Sequence, residues 1–139
     1  MAMTAVARSV NAGLRHEVDV NGRHLIVTDE PERLGGTDVG PAPHELLPAM
    51  VASCVSTMII LYARARGWQL GDVCVELIYD SDSTPRHVDL SVHLPAGLTS
   101  GQLRRLRKVV ETCPAMRALE AGFTFDEQLI VAGAEMSLA

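Results

Sequence analysis

Three cysteines, Cys54, Cys74 and Cys113, have the most chemistry to offer in this chain. A thiolate is a nucleophile and a metal ligand, and two thiols that meet can form a disulfide. No two of the three sit in a CxxC or CxxxC pair, and an odd number fits neither a disulfide framework nor a zinc-site spacing. Cys54 closes the stretch Gly40-Pro41-Ala42-Pro43-His44-Glu45-Leu46-Leu47-Pro48-Ala49-Met50-Val51-Ala52-Ser53-Cys54, which reads as a rigid loop, a helix start and a cysteine carried into an apolar helix. Cys113 stands at a helix break before Pro114. A buried free cysteine is by default a small hydrophobe, so packing is the reading that chemistry has to displace. A reactive thiolate needs a nearby cation or hydrogen-bond donors to bring its pKa below the free value of about 8.5. The sequence around Cys54 supplies no such cation, which therefore has to come from elsewhere in the fold, as an arginine. Cys74 alternates within a strand with no charged pattern around it and is expected to be core filler.

The elements that must position these groups follow from periodicity. A single domain over residues 1–139 is expected, with an N-terminal β-meander at 5–28, a loop at 29–42, a central helix at 43–66 and a C-terminal ββααβ unit at 72–131. In the meander, Asn21-Gly22 is the two-residue signal of a hairpin between His16–Val20 and Arg23–Thr28. Pro31, Gly35, Gly36, Gly40 and Pro41 break the loop, whose length is typical of functional loops or of loops buried on a partner. Pro43 suits a first helical position and Glu45 the positive end of the helix dipole. Leu47, Met50, Val51, Cys54, Met58, Leu61 and Ala65 define one expected buried stripe. Because Leu46, Val55, Ile59, Ile60 and Tyr62 extend the apolar surface around the helix, structure is expected on several of its sides. Arg66-Gly67 ends it. Val73 to Tyr79 and Val88 to Leu94 alternate as strands, and Thr99 to Gln102 has the form of a capping box. Leu103, Leu106, Val110 and Cys113 form the inner face of the helix that follows. A short helix through Met116 and Leu119 stops at Gly122, and Phe123 to Val131 reads as a closing strand. The order of elements is that of an α+β fold.

Composition excludes several classes. A hydrophobic share of 47% with 4% aromatics gives a core of Ala, Val, Leu, Ile and Met. A net charge of −5 argues against nucleic acid, which needs a basic surface. The Arg104 to Lys108 cluster is then a solvated helix face. The apolar run Leu46 to Leu61 is too short to span a bilayer, so no membrane is expected. With no signal sequence read at the N-terminus, the expected location is cytoplasmic, where thiols stay reduced. His87 and His93 share a strand face with Asp89, but they lie about 20 Å apart along a strand and cannot hold one ion. No metal and no cofactor are expected.

Gly35-Gly36, Gly40-Pro41-x-Pro43-x-Glu45-Leu46-Leu47, Ala52-Ser53-Cys54 and Thr112-Cys113-Pro114 together resemble the OsmC/Ohr family of thiol peroxidases, over nearly the whole chain. The resemblance implies an intertwined homodimer, with two long central helices packed between antiparallel β-sheets and active sites at the subunit interface. It implies that Cys54 is the peroxidatic cysteine and Cys113 the resolving one. Cys54 would then be oxidised by an organic hydroperoxide to a sulfenic acid, condense with Cys113 to a disulfide, and be reduced by a dithiol of the lipoyl type. Gly13-Leu14-Arg15 resembles the family's Gly-Gly-Arg, which makes Arg15 the first candidate for the arginine, ahead of Arg23 and Arg33. The family's glutamate directly follows the helix-starting proline, where this chain has His44; the carboxylate comes one residue later, at Glu45. One residue turns a helix by about 100°, so the two positions point differently. The Pro-x-Glu-Leu form is similar to the OsmC-like branch. The expected function is that of a hydroperoxide reductase. The alternative is a non-peroxidase OsmC-like dimer that binds a small hydrophobic ligand or responds to redox state.

Overall fold

The computed structural model describes residues 1–137. Strands β1 (Ala5–Ser9), β2 (His16–Val20) and β3 (His24–Thr28) form an antiparallel meander in that order. The β2–β3 turn places Asn21 and Gly22 at φ of 54° and 68°, the left-handed pair that the Asn-Gly signal requires. After the loop, a 3-10 turn at Pro43–Glu45 leads into helix α1 (Leu46–Ala65). At its far end Trp68 N–H donates to Ala63 C=O and Gly67 N–H to Arg64 C=O, with Gly67 at φ 71°, which is the Schellman stop expected at Arg66-Gly67.

Strands β4 (Cys74–Tyr79) and β5 (Val88–His93) pair antiparallel and alternate as expected, with Val75, Leu77, Tyr79, Val88, Leu90 and Val92 half-buried. Helix α2 (Ser100–Glu111) opens on the expected capping box: Gln102 N–H donates to Thr99 Oγ1 and Thr99 N–H to Gln102 Oε1. Helix α3 (Pro114–Ala121) stops at Gly122, whose φ is 76°. The closing strand is shorter than expected. β6 covers only Gln128–Val131 and pairs with a strand not anticipated, β7 (Ala134–Ser137), while Phe123 and Phe125 lie exposed outside any strand. Two aromatic residues of high strand propensity do not make a strand without a neighbour to pair with.

The core lies where α1 meets the β4–β5 sheet on one side and α2 and α3 on the other. Its spine is Val51, Val55, Ile59 and Ala63, an i,i+4 ridge packed with Leu70, Leu106 and Cys113. This corrects the expected stripe: Met50, Leu61 and Ala65 are exposed, and Val55 and Ile59 take the inner positions. On α2, likewise, Val109 is buried and Leu103 exposed. Apolar residues run round nearly the whole of α1, so periodicity alone had no contrast from which to choose the inner face. Within one chain the β4–β5 sheet, α2 and α3 cover α1, while Met50, Leu61 and Ala65 remain exposed. The helix from Pro43 to Ala65 is also long and apolar enough, by length and composition, to cross a membrane, contrary to the shorter run expected. Its buried ridge nevertheless carries the core of the fold. Cys74 is exposed on the outer face of β4 and is not core filler. The strand alternates, and Cys74 falls in phase with Glu76 rather than with Val75.

Candidate active site

Cys54 is half-buried on α1, at the flank of the Val51–Val55 ridge and packed against the core. Cys113 is completely buried in the turn between α2 and α3. That turn is built locally. Thr112 and Cys113 donate their N–H groups to the last carbonyls of α2, Val109 and Val110, and Thr112 Oγ1 donates to Val109 C=O at 2.7 Å. Pro114 then opens α3 at the position where its missing N–H costs nothing. The amides of Met116 and Ala115 are left facing the Cys113 sulfur. Burial pushes the Cys113 thiol up from its ordinary pKa and the neighbouring Cys54 thiol adds to this, against the lowering pull of the two amides. The structure thus brings together the two cysteines expected to act as a pair, and keeps the buried one protonated.

The other expected site residues lie apart from this pair. Arg15 lines a cavity of about 300 Å³ together with Val10, Leu14, Asp29, Gly36 and Thr37, and neither cysteine belongs to that lining. Arg23 is exposed in the β2–β3 turn and Arg33 in a 3-10 turn at Glu32–Leu34. Glu45 caps the start of the helix: its Oε1 accepts from Ala42 N–H at 2.9 Å, and its own N–H donates to Ala42 C=O. His44 turns instead to Tyr79 at the end of β4, ring edge to ring face at 5.6 Å between centroids, with Nε2 3.4 Å from the phenol oxygen. Tyr79 borders a groove of about 480 Å³ whose walls include Leu47, Val51, Leu90, Met116 and Leu119, with Arg86 at its rim. On the outer sheet face His87 pairs with Asp89, and His93 with Glu76, each at 3.1 Å. The two histidines thus go to different carboxylates.

One residue that sequence reasoning missed organises the long loop. Asp29 follows β3 and is fully buried. Its Oδ1 accepts from Glu30 N–H at 2.8 Å. Its Oδ2 accepts from Thr37 Oγ1 at 2.5 Å, Thr37 N–H at 3.1 Å and Val39 N–H at 3.3 Å. The Thr37 hydroxyl first, then the three amides, hold the carboxyl down at about 2 despite its burial. The available signal was an aspartate at a strand end followed by a Thr- and Gly-containing loop, a setting in which carboxylates commonly collect backbone N–H groups.

The model of the family described as OsmC-like protein matches residues 35–128, which include all three cysteines and the His44–Glu45 turn. The chain belongs to the OsmC-like family. No curated protein sequence matches it. Solved structures share the fold at low identity. An osmotic stress induced and detoxification response protein from Psychrobacter arcticus 273-4 is 22% identical with a TM-score of 0.66, over 82% of this chain and 85% of that one. An organic hydroperoxide resistance protein OsmC from Legionella pneumophila is 23% identical with a TM-score of 0.58, over 86% and 89%. An organic hydroperoxide resistance protein from Vibrio cholerae O1, with captopril bound in one of its active sites, is 24% identical with a TM-score of 0.57, over 86% and 84%. In this OsmC-like chain the mixed α/β layout and antiparallel sheets are those of its family.

Proposed function

We propose that this OsmC-like protein is a cysteine-based peroxidase that reduces organic hydroperoxides, working as a cytoplasmic homodimer. The observation that carries the reading is the pairing of a half-exposed Cys54 with a buried Cys113, whose burial favours the neutral thiol. The Cys54 thiolate attacks the terminal peroxide oxygen; the O–O bond breaks, Cys54 becomes a sulfenic acid, and the alkoxide leaves and takes a proton as the alcohol. The Cys113 sulfur then attacks the sulfenic sulfur, expels water and forms the Cys54–Cys113 disulfide. A dithiol reductant of the lipoyl type restores both thiols by exchange and leaves as its own disulfide. A buried protonated resolver suits this order, because it does not compete with Cys54 for peroxide. In this reading the cation that activates Cys54 is Arg15 of the partner subunit, since Arg15 lines a separate cavity within its own chain.

A second reading is favoured by the Glu45 cap and by the groove beside Met116. With the carboxylate occupied by Ala42 N–H, the protein would be a dimer that holds a small hydrophobic ligand in that groove. Turnover separates the two readings. With tert-butyl hydroperoxide and dithiothreitol or dihydrolipoamide, wild type consumes peroxide and Cys54→Ser falls to the rate of reductant alone. Without reductant and with one equivalent of peroxide, Cys113→Ser halts as the Cys54 sulfenic acid, visible by mass as one added oxygen. Equal rates for wild type and Cys54→Ser would leave only the ligand-binding reading.

A further inference from the structure

Asp29 is a buried carboxylate that the thiol chemistry above does not use. All its partners are donors, and they fold residues 29–41 back on the end of β3. Asp29 N–H donates to Pro41 C=O at 3.0 Å, so the two ends of the loop meet. Asp38 N–H reaches Glu30 C=O and Gly36 N–H reaches Pro31 C=O. The chain passes so close to itself that a Cβ on Gly36 would lie 1.9 Å from Glu30 O, and one on Gly40 2.5 Å from Val27 O. One side of this compact loop, Gly35 to Thr37 with Asp29, forms the wall of the cavity whose opposite wall is the Val10 to Arg15 turn. Its downstream end, Pro41-Ala42, delivers the chain to the Pro43–Glu45 turn that starts the Cys54 helix. The β1–β3 sheet and the α1 body have little other packing between them.

We propose that Asp29 is a positioning residue: its carboxylate makes the loop a bracket that fixes the Arg15 turn relative to the start of α1. This rests on the peroxidase reading, in which Arg15 must reach a Cys54. In a symmetric dimer, fixing Arg15 relative to its own α1 also fixes it relative to the partner's Cys54. The Cys54–Cys113 pair lies in the core, away from the bracket, and keeps its geometry without it.

The test is a split between two reactions of one protein. Asp29→Asn keeps the shape but turns an amide N–H₂ toward N–H donors; Thr37→Val removes a single hydroxyl and is the milder variant if Asp29→Asn does not fold. Either variant should lower the rate of Cys54 oxidation by tert-butyl hydroperoxide by on the order of tenfold, the scale of a small misplacement of a catalytic group. The pH midpoint of Cys54 alkylation by iodoacetamide should rise, while the extent of Cys54–Cys113 closure by excess diamide, read above that midpoint, stays at the wild-type value. Arg15→Ala combined with Thr37→Val should be no slower than Arg15→Ala alone. An unchanged alkylation midpoint with only a lower melting temperature overturns the proposal, as do additive losses in the double variant. If Cys54→Ser still turns over peroxide at the wild-type rate, the peroxidase reading fails first; if Cys54→Ser is dead and Thr37→Val is indistinguishable from wild type, only the bracket fails.

Discussion

Asp29 and Cys113 are both completely buried, and their surroundings drive them in opposite directions. Asp29 is ringed by donors that favour its charged form, so its carboxyl is held at about 2. Cys113 is met mainly by hydrocarbon and a second thiol, so its neutral form wins. The sign of the resulting pH dependence follows for Asp29. Its folded pKa is depressed, so its contribution to stability is whole above the ordinary carboxylate value of about 3.9 and is lost as pH falls toward about 2. Thermal melts from pH 6 down to pH 2 should show Asp29→Asn well below wild type at the upper end and the two curves converging at the lower. Parallel curves across the range would mean that the carboxylate's charge contributes nothing.

At the scale of elements, the loop between β3 and α1 also depends on two positions that carry no side chain, Gly36 and Gly40. Gly36 is required by close approach and not by its dihedral, because the main chain of Glu30 occupies the place of its Cβ. Gly36→Ala must move backbone, at a cost of roughly 1–3 kcal/mol or more. Gly101 makes a useful contrast. It lies in the first turn of α2, and its nearest atoms are the Arg104 and Thr99 side chains, each 3.8 Å from an added Cβ. Gly101→Ala should therefore gain about 0.5–1 kcal/mol through helix propensity and a less free unfolded chain. Chemical denaturation of the two variants should give shifts of opposite sign in the midpoint.

Taken whole, one chain leaves much apolar surface uncovered. Met50 and Leu61 are exposed on the outer side of α1, Leu25 and Ile26 on the N-terminal sheet, and Leu129, Ile130 and Val131 on β6. Met50 and Leu61, eleven residues or about three turns apart, share one side of α1, and an exposed apolar helix side of this kind is where a partner packs. They support the homodimer proposed above, with α1 against its counterpart and the N-terminal sheet over the partner. Met50→Glu combined with Leu61→Glu should shift the sedimenting species from dimer to monomer and abolish peroxide turnover together, because the activating arginine would be lost. A monomer that keeps full turnover would place the activating cation within one chain. Wild type sedimenting as a monomer would remove the dimer from the proposal.

The sequence by itself determined the α+β order, the Asn21-Gly22 hairpin, the Thr99–Gln102 cap, the Gly67 and Gly122 stops and the break at Pro114. Each is a local event, settled by residues within one turn of each other, so its signal is contiguous in the chain. The two-cysteine pairing was legible only through resemblance, since 59 positions separate Cys54 from Cys113 and no spacing rule joins them. Tertiary structure alone decided which face of an all-apolar helix turns inward, placing Val55 and Ile59 in the core and Met50 outside. It brought His44 to Tyr79 and made Asp29 the hub of its loop. These outcomes depend on which groups at distant positions arrive close enough to desolvate a side chain or donate to it, and that is a property of packing.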